Sequence, residues 1–181
     1  MGKTVRTFIS MDIPITDEIK DIIRIMKETD NVRPVSLGQI HVTLKFLGDT
    51  DEKKIPQLCS RLQEAFEGFG PVDLAMKGMG AFPNVRNPKV IWMGFEESDR
   101  LIKAAEKVTS VLDSMKLDYD GKRFSPHVTA GRITGKTDIT DIIESHKDME
   151  FCRYTCSVIR VMGSELTPKG AVHTILGRIA L

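Results

Sequence analysis

Cysteine is scarce in this 181-residue chain: Cys59, Cys152 and Cys156. An odd, sparse set gives no disulfide framework, and it fits thiols kept reduced in a reducing compartment. Cys152 and Cys156 lie in "FCRYTCSVIRVMG", which reads as one strand. Four strand residues separate their Cα atoms by about 13 Å, beyond the roughly 7 Å limit for a disulfide. No apolar run approaches the roughly 20 residues of a membrane-spanning helix. The opening "MGKTVRTFISMDIP" is interrupted by Asp12 and lacks a small-residue cleavage site, so it reads as a first strand rather than a signal peptide. The expected location is the cytoplasm. A charge excess is missing too: 26 Lys and Arg face 25 Asp and Glu. That balance argues against a protein that tracks a phosphate backbone, yet leaves room for a pocket gripping one phosphate.

What is present is an ordinary globular composition, 41% hydrophobic and 28% charged. Thr4 to Ile13 reads as a strand. "TDEIKDIIRIMKET" reads as a helix, with Thr16 as N-cap and Ile19, Ile22, Ile23 and Met26 at helical spacing. "DNVRPVSLGQ" reads as a loop and "IHVTLKFLG" as an alternating strand. A second helix follows through Leu58, Leu62 and Phe66. "PVDLAMKGMGAF" and "PKVIWMGF" are strands joined by the turn-rich "PNVRN". The second half gives a helix from about Ser98 to Met115, the strand "HVTAGRI" and a short helix from about Asp138 to His146. It closes with two strands joined by a hairpin at "SELTPKG". Helices and strands mix without a regular βαβ rhythm, so an α+β fold is expected.

Half of the four histidines stand in the same tripeptide, His-Val-Thr, at His41 and His127. Each copy sits in a strand and is followed by a helix and further strands, which points to two similar lobes in one domain spanning 1–181. On an alternating strand His41, Thr43 and Lys45 share one face, and Ile40, Val42, Leu44 and Phe46 the other. His127 and Thr129 likewise share a face. Two imidazoles with unperturbed pKa near 6.5 form an acid–base pair suited to displacement at phosphorus. The hydroxyls can hold phosphate oxygens as charge builds. A lone His-x-Thr is more often an ordinary strand pair; the repeat carries the reading. A zinc site needs a third ligand, and none lies near either copy; His146 and His173 stand in other contexts.

These residues resemble the 2H phosphoesterase superfamily, in the branch of RNA 2',3'-cyclic phosphodiesterases (2'-5' RNA ligase-like). The likeness runs through "RTFISMDIP", "HVTLKFLG", "GMGAFPNVRNPKVIWMG", "FSPHVTAGR" and "SELTPKGAVHTIL". The resemblance implies two antiparallel sheets flanking a central cleft with helices outside. It implies metal-independent, cofactor-free hydrolysis of a terminal RNA 2',3'-cyclic phosphate to a 2'-phosphate by a monomer that binds no membrane. In family terms His41 is the proton donor and His127 the proton acceptor; the spacing alone leaves that order open. The chain departs from the pattern at Ala130, usually leucine, and at His173, often tyrosine. Lys45, Arg132, Phe46 and Arg86 are the further candidate substrate contacts. Parity puts Arg132 off the His127 face unless the strand bulges, and groups Phe46 with the core. Lys89 and Arg86 read as loop charges, His173 as an ordinary strand residue and Trp92 as core. The alternatives are 2'-5' joining of RNA ends, cleavage of a small cyclic nucleotide, and a nucleotide-binding module without chemistry. The last has no use for a paired acid and base.

Overall fold

A computed structural model describes residues 2–181. In chain order the elements are β1 (Thr4–Asp12), α1 (Asp17–Glu28), β2 (Val32–Pro34), β3 (His41–Asp51), α2 (Ile55–Ala65), β4 (Val72–Phe82) and β5 (Val90–Glu96). Then come α3 (Asp99–Ser114), β6 (Val128–Ile133), α4 (Thr140–Ser145), β7 (Glu150–Cys156), β8 (Val158–Thr167) and β9 (Gly170–Ala180). One sheet has the order β3-β1-β8-β9 and the other β2-β6-β5-β4-β7. Every pairing is antiparallel, as an α+β fold requires.

Local chemistry accounts for the helices. The Thr16 hydroxyl accepts from the Ile19 N–H at 3.3 Å and donates to the Phe151 carbonyl at 2.7 Å. It therefore caps α1 and ties its start to β7. Ile19, Ile22 and Met26 are fully buried, and α1 packs on β2, β6 and β7. On α2, Leu58 and Leu62 are fully buried, and the helix packs on β9 and α3. Burying each such side chain contributes about 1.5–3 kcal/mol. The helices thus cover one face of each sheet. The other faces carry the two histidines, and β3 lies against β6. Each His-x-Thr strand pairs with the strand that precedes its helix, β3 with β1 across α1 and the edge strand β2, and β6 with β5 across α3.

Two segments differ from expectation. Inside the expected loop, Val32–Pro34 pairs with β6 as an edge strand, and Leu37–Gln39 forms one tight helical turn. The segment read as one strand, "FCRYTCSVIRVMG", is two strands broken at Ser157, β7 in the second sheet and β8 in the first. The adjacent apolar pair Val158–Ile159 marks the switch. Cys156, the last buried residue of β7, is even-numbered, and the buried residues that follow, Ile159 and Val161, are odd-numbered. Cys152 and Cys156 stay unpaired thiols.

Candidate active site

Both His-x-Thr strands bulge at the residue after the threonine. Along β1 the partner of Ile9 is Lys45 and the partner of Ser10 is Thr43, so Leu44 is the extra residue. Along β5 the partner of Ile91 is Gly131 and that of Trp92 is Thr129, so Ala130 is the extra residue. A bulge inserts one residue and inverts the facing of those that follow. The expected face assignments beyond each threonine therefore reverse.

The reversal moves three candidates. Phe46 is 49% exposed rather than core, and its ring packs 5.6 Å from Phe8. Lys45 leaves the His41 face and is 9% exposed. Its ammonium donates to the carbonyls of Asp120 and Lys122 at 3.3 and 3.2 Å and lies 5.1 Å over the Tyr119 ring. It ties down the loop that leads to His127 rather than pointing at a phosphate. Arg132 is brought onto the His127 face and is exposed. Trp92 is not core either: Ile91 and Met93 are the fully buried pair, while Trp92 stands opposite Thr129. Its indole lies over Gly80, where any Cβ would clash with the ring, and among the described residues its buried Nε1 has no partner. Arg86 and Lys89 are exposed residues of the β4–β5 loop.

The imidazoles are held alike. His127 Nδ1 lies 2.6 Å from the Ser125 carbonyl. His41 hydrogen-bonds the Gln39 carbonyl. A carbonyl only accepts, so His127 Nδ1 carries a proton and its Nε2 is left for chemistry. The Thr43 hydroxyl lies 3.0 Å from His41 Nε2. The surroundings differ. Phe82 meets His127 edge-on at 4.9 Å. His41 stacks on Phe8 at 5.0 Å, and His173 meets His41 edge-on at 5.6 Å. His173 is thus no ordinary strand residue. The β8–β9 hairpin returns across the sheet, and Gln39 donates to the Ala171 carbonyl. No local pattern announces that approach.

Burial first, then the nearby His173, pushes His41 down from 6.5 to about 4. His173 is also lowered, by burial. The free protein therefore holds His41 neutral at pH 7. The unfolded chain binds a proton at His41 below pH 6.5, and the folded protein does not until about pH 4. Stability contributed by this group is intact above pH 6.5 and lost as pH falls through that window, by about 3 kcal/mol in all. Urea titrations from pH 7 to pH 4 should show a steeper fall for the wild type than for His41→Gln. Parallel curves would contradict the depressed pKa.

Among the described residues no three His, Cys, Asp or Glu side chains gather as a metal cage, and no helix is long and apolar enough to cross a membrane. Fold and site together define an α+β protein with twinned His-x-Thr strands on two apposed sheets. Residues 13–92 match the family model of LigT-like phosphoesterases. The chain is 32% identical to an RNA 2',3'-cyclic phosphodiesterase of Archaeoglobus fulgidus, covering 93% of this chain and 96% of that one. It is 31% identical to one of Thermotoga maritima, covering 94% and 92%. Its fold is similar to that of a Thermus thermophilus protein (TM-score 0.83, 23% identity, 97% of each chain). It is also similar to Escherichia coli LigT complexed with 3'-AMP (TM-score 0.79, 22% identity, 99% of each chain). The chain belongs to the LigT-like, or 2H, phosphoesterases, a family of enzymes.

Proposed function

We propose that the protein hydrolyses RNA 2',3'-cyclic phosphate ends to 2'-phosphates, without a metal or other cofactor. It does so as a cytoplasmic monomer whose two lobes form one domain over 1–181. The observation that carries this reading is the pair of imidazoles on two apposed strands, His127 held through Nδ1 by the Ser125 carbonyl and His41 beside the Thr43 hydroxyl at Nε2. Relatives named for this activity support the substrate.

His127 Nε2 takes a proton from water as the water oxygen attacks phosphorus. The P–O3' bond breaks, and His41 Nε2–H protonates O3'. Thr43 and Thr129 donate to non-bridging oxygens. For His41 to act as the acid its proton must be held near neutrality. Raising its pKa from about 4 to 6.5 takes about 3 kcal/mol. One phosphodiester charge 4 Å away supplies about 4 kcal/mol at an effective dielectric of 20. Substrate charge is therefore sufficient. The neutrality of His41 in the free protein favours a second reading, in which the roles are exchanged.

The activity needs only the two proton transfers, so exhaustive EDTA should leave it intact. The assay is an oligonucleotide with a 2',3'-cyclic phosphate end, scored by the position of the product phosphate. Activity that vanishes with chelator and returns with zinc or manganese would establish a metal enzyme instead.

A further inference from the structure

The second histidine leans on a chain of aromatic rings. Register sets Gly80 opposite Trp92 and Trp92 opposite Thr129, so one row across β4, β5 and β6 ends at the second motif. Directly opposed residues of antiparallel strands share a face. The indole lies along that row on a bed of two glycines. A Cβ on Gly80 would clash with its six-membered ring, and one on Gly94 would meet Cζ3 at 3.1 Å. Phe82 packs on the indole at 5.5 Å, tilted by 39°. The Phe82 ring in turn meets His127 at 4.9 Å and 89°.

This arrangement is costly to the sheet. Glycine inside a strand weakens it and marks a close approach. Two glycines on neighbouring strands, both buried, make room for one side chain. Among the described residues the buried indole Nε1 has no hydrogen-bond partner, and an orphaned buried donor destabilises a fold. Filling the space alone would be better served by larger residues at 80 and 94 and a ring without an N–H at 92. What the indole provides is a seat for Phe82, and His127 needs that seat. Its Nδ1 bond to the Ser125 carbonyl at 2.6 Å leaves the imidazole free to swing about the N···O line. The contact with Phe82 blocks the swing. His41 is held otherwise, by Phe8 and His173.

We propose that Trp92 and Phe82 are positioning residues, a two-ring strut on a glycine bed that fixes the direction of His127 Nε2. The inference rests on the function proposed above. The strut acts through the imidazole and not through substrate, so its loss shows in turnover rather than in binding. A reacting group displaced by about 1 Å loses roughly 10²-fold in rate.

Phe82→Leu keeps an apolar side chain and removes the ring. On an oligonucleotide with a 2',3'-cyclic phosphate end it should lower kcat about tenfold and leave KM within about twofold. Gly80→Ala, which displaces the indole, should do the same. Phe82→Tyr keeps the ring and should stay within about threefold of wild type. The deciding measurement is a double variant. In a His127→Ala background, Phe82→Leu should change the residual rate by less than about twofold, because the group it positions is gone. A tenfold loss that persists in that background, a loss that falls on KM, or a wild-type kcat for Phe82→Leu overturns the proposal. Nitrogen NMR of the imidazoles reads the ring without turnover. Phe82→Leu and Gly80→Ala should move the His127 nitrogens toward averaged tautomers and leave those of His41 in place; unaltered His127 signals in both variants overturn the strut. If wild type does not hydrolyse the substrate, the proposed function fails, and these spectra decide the strut alone.

Discussion

His127→Ala is expected to slow hydrolysis of a cyclic-phosphate RNA end by at least about 10²-fold, and His41→Ala by a similar factor. Each change removes an Nε2 that a backbone carbonyl has already oriented, and alanine cannot shuttle a proton. Both rings are half-buried at strand edges, so circular dichroism should report an intact fold. Near-normal turnover by either purified variant would sink the two-histidine mechanism. The same variants decide the order of roles. A substrate with bridging sulfur at O3' leaves as a thiolate and needs no acid. Rescue of His41→Ala by that substrate assigns His41 as donor; rescue of His127→Ala assigns the exchanged order.

Thr129→Val and Thr43→Val should each lower the rate by about 10- to 10³-fold, as loss of a transition-state hydrogen-bond donor does. Valine keeps the branched shape and strand preference, so the loss isolates the hydroxyl. The two positions are not equivalent. In the free protein Thr43 hydrogen-bonds His41 Nε2 at 3.0 Å, so substrate must draw that hydroxyl away from the ring. The rate should follow a bell with pH, reporting the histidines as a pair. Thr129→Val should keep both limbs. A wild-type rate for either variant removes that residue from the phosphate site. A limb lost in Thr43→Val would show instead that its hydroxyl governs the ionisation of His41.

Most strands, the main helices and the α+β class were legible in the sequence, because alternation, helical spacing and the Thr16 cap are local chemistry; β2 and the break between β7 and β8 were not. The nearness of His41 and Thr43 was legible too, two residues apart on one strand and hydrogen-bonded at 3.0 Å. Legibility ended at the bulges. Leu44 and Ala130 look like ordinary strand residues, and only their partners across the ladder show that each is supernumerary. Everything beyond them was therefore turned over: Phe46 from core to surface, Lys45 from surface to interior, Arg132 onto the histidine face. Trp92 was misplaced because an apolar run hides which parity faces inward. His173 was missed because the hairpin that carries it reaches His41 through tertiary packing, far later in the chain.

Lys45 has a consequence for how the two half-sites are gauged against each other. Its buried ammonium reaches from the first His-x-Thr strand to the backbone at Asp120 and Lys122. The Asp120 N–H returns the link to the Phe46 carbonyl at 2.8 Å. The segment so fastened ends at the second histidine. The bonds that fasten this segment thus run to main-chain atoms, whose identity no substitution at Asp120 or Lys122 can alter. Sequence drift along that loop leaves these bonds their partners, so the segment leading to His127 stays fastened to the His41 strand through backbone that side-chain changes do not touch.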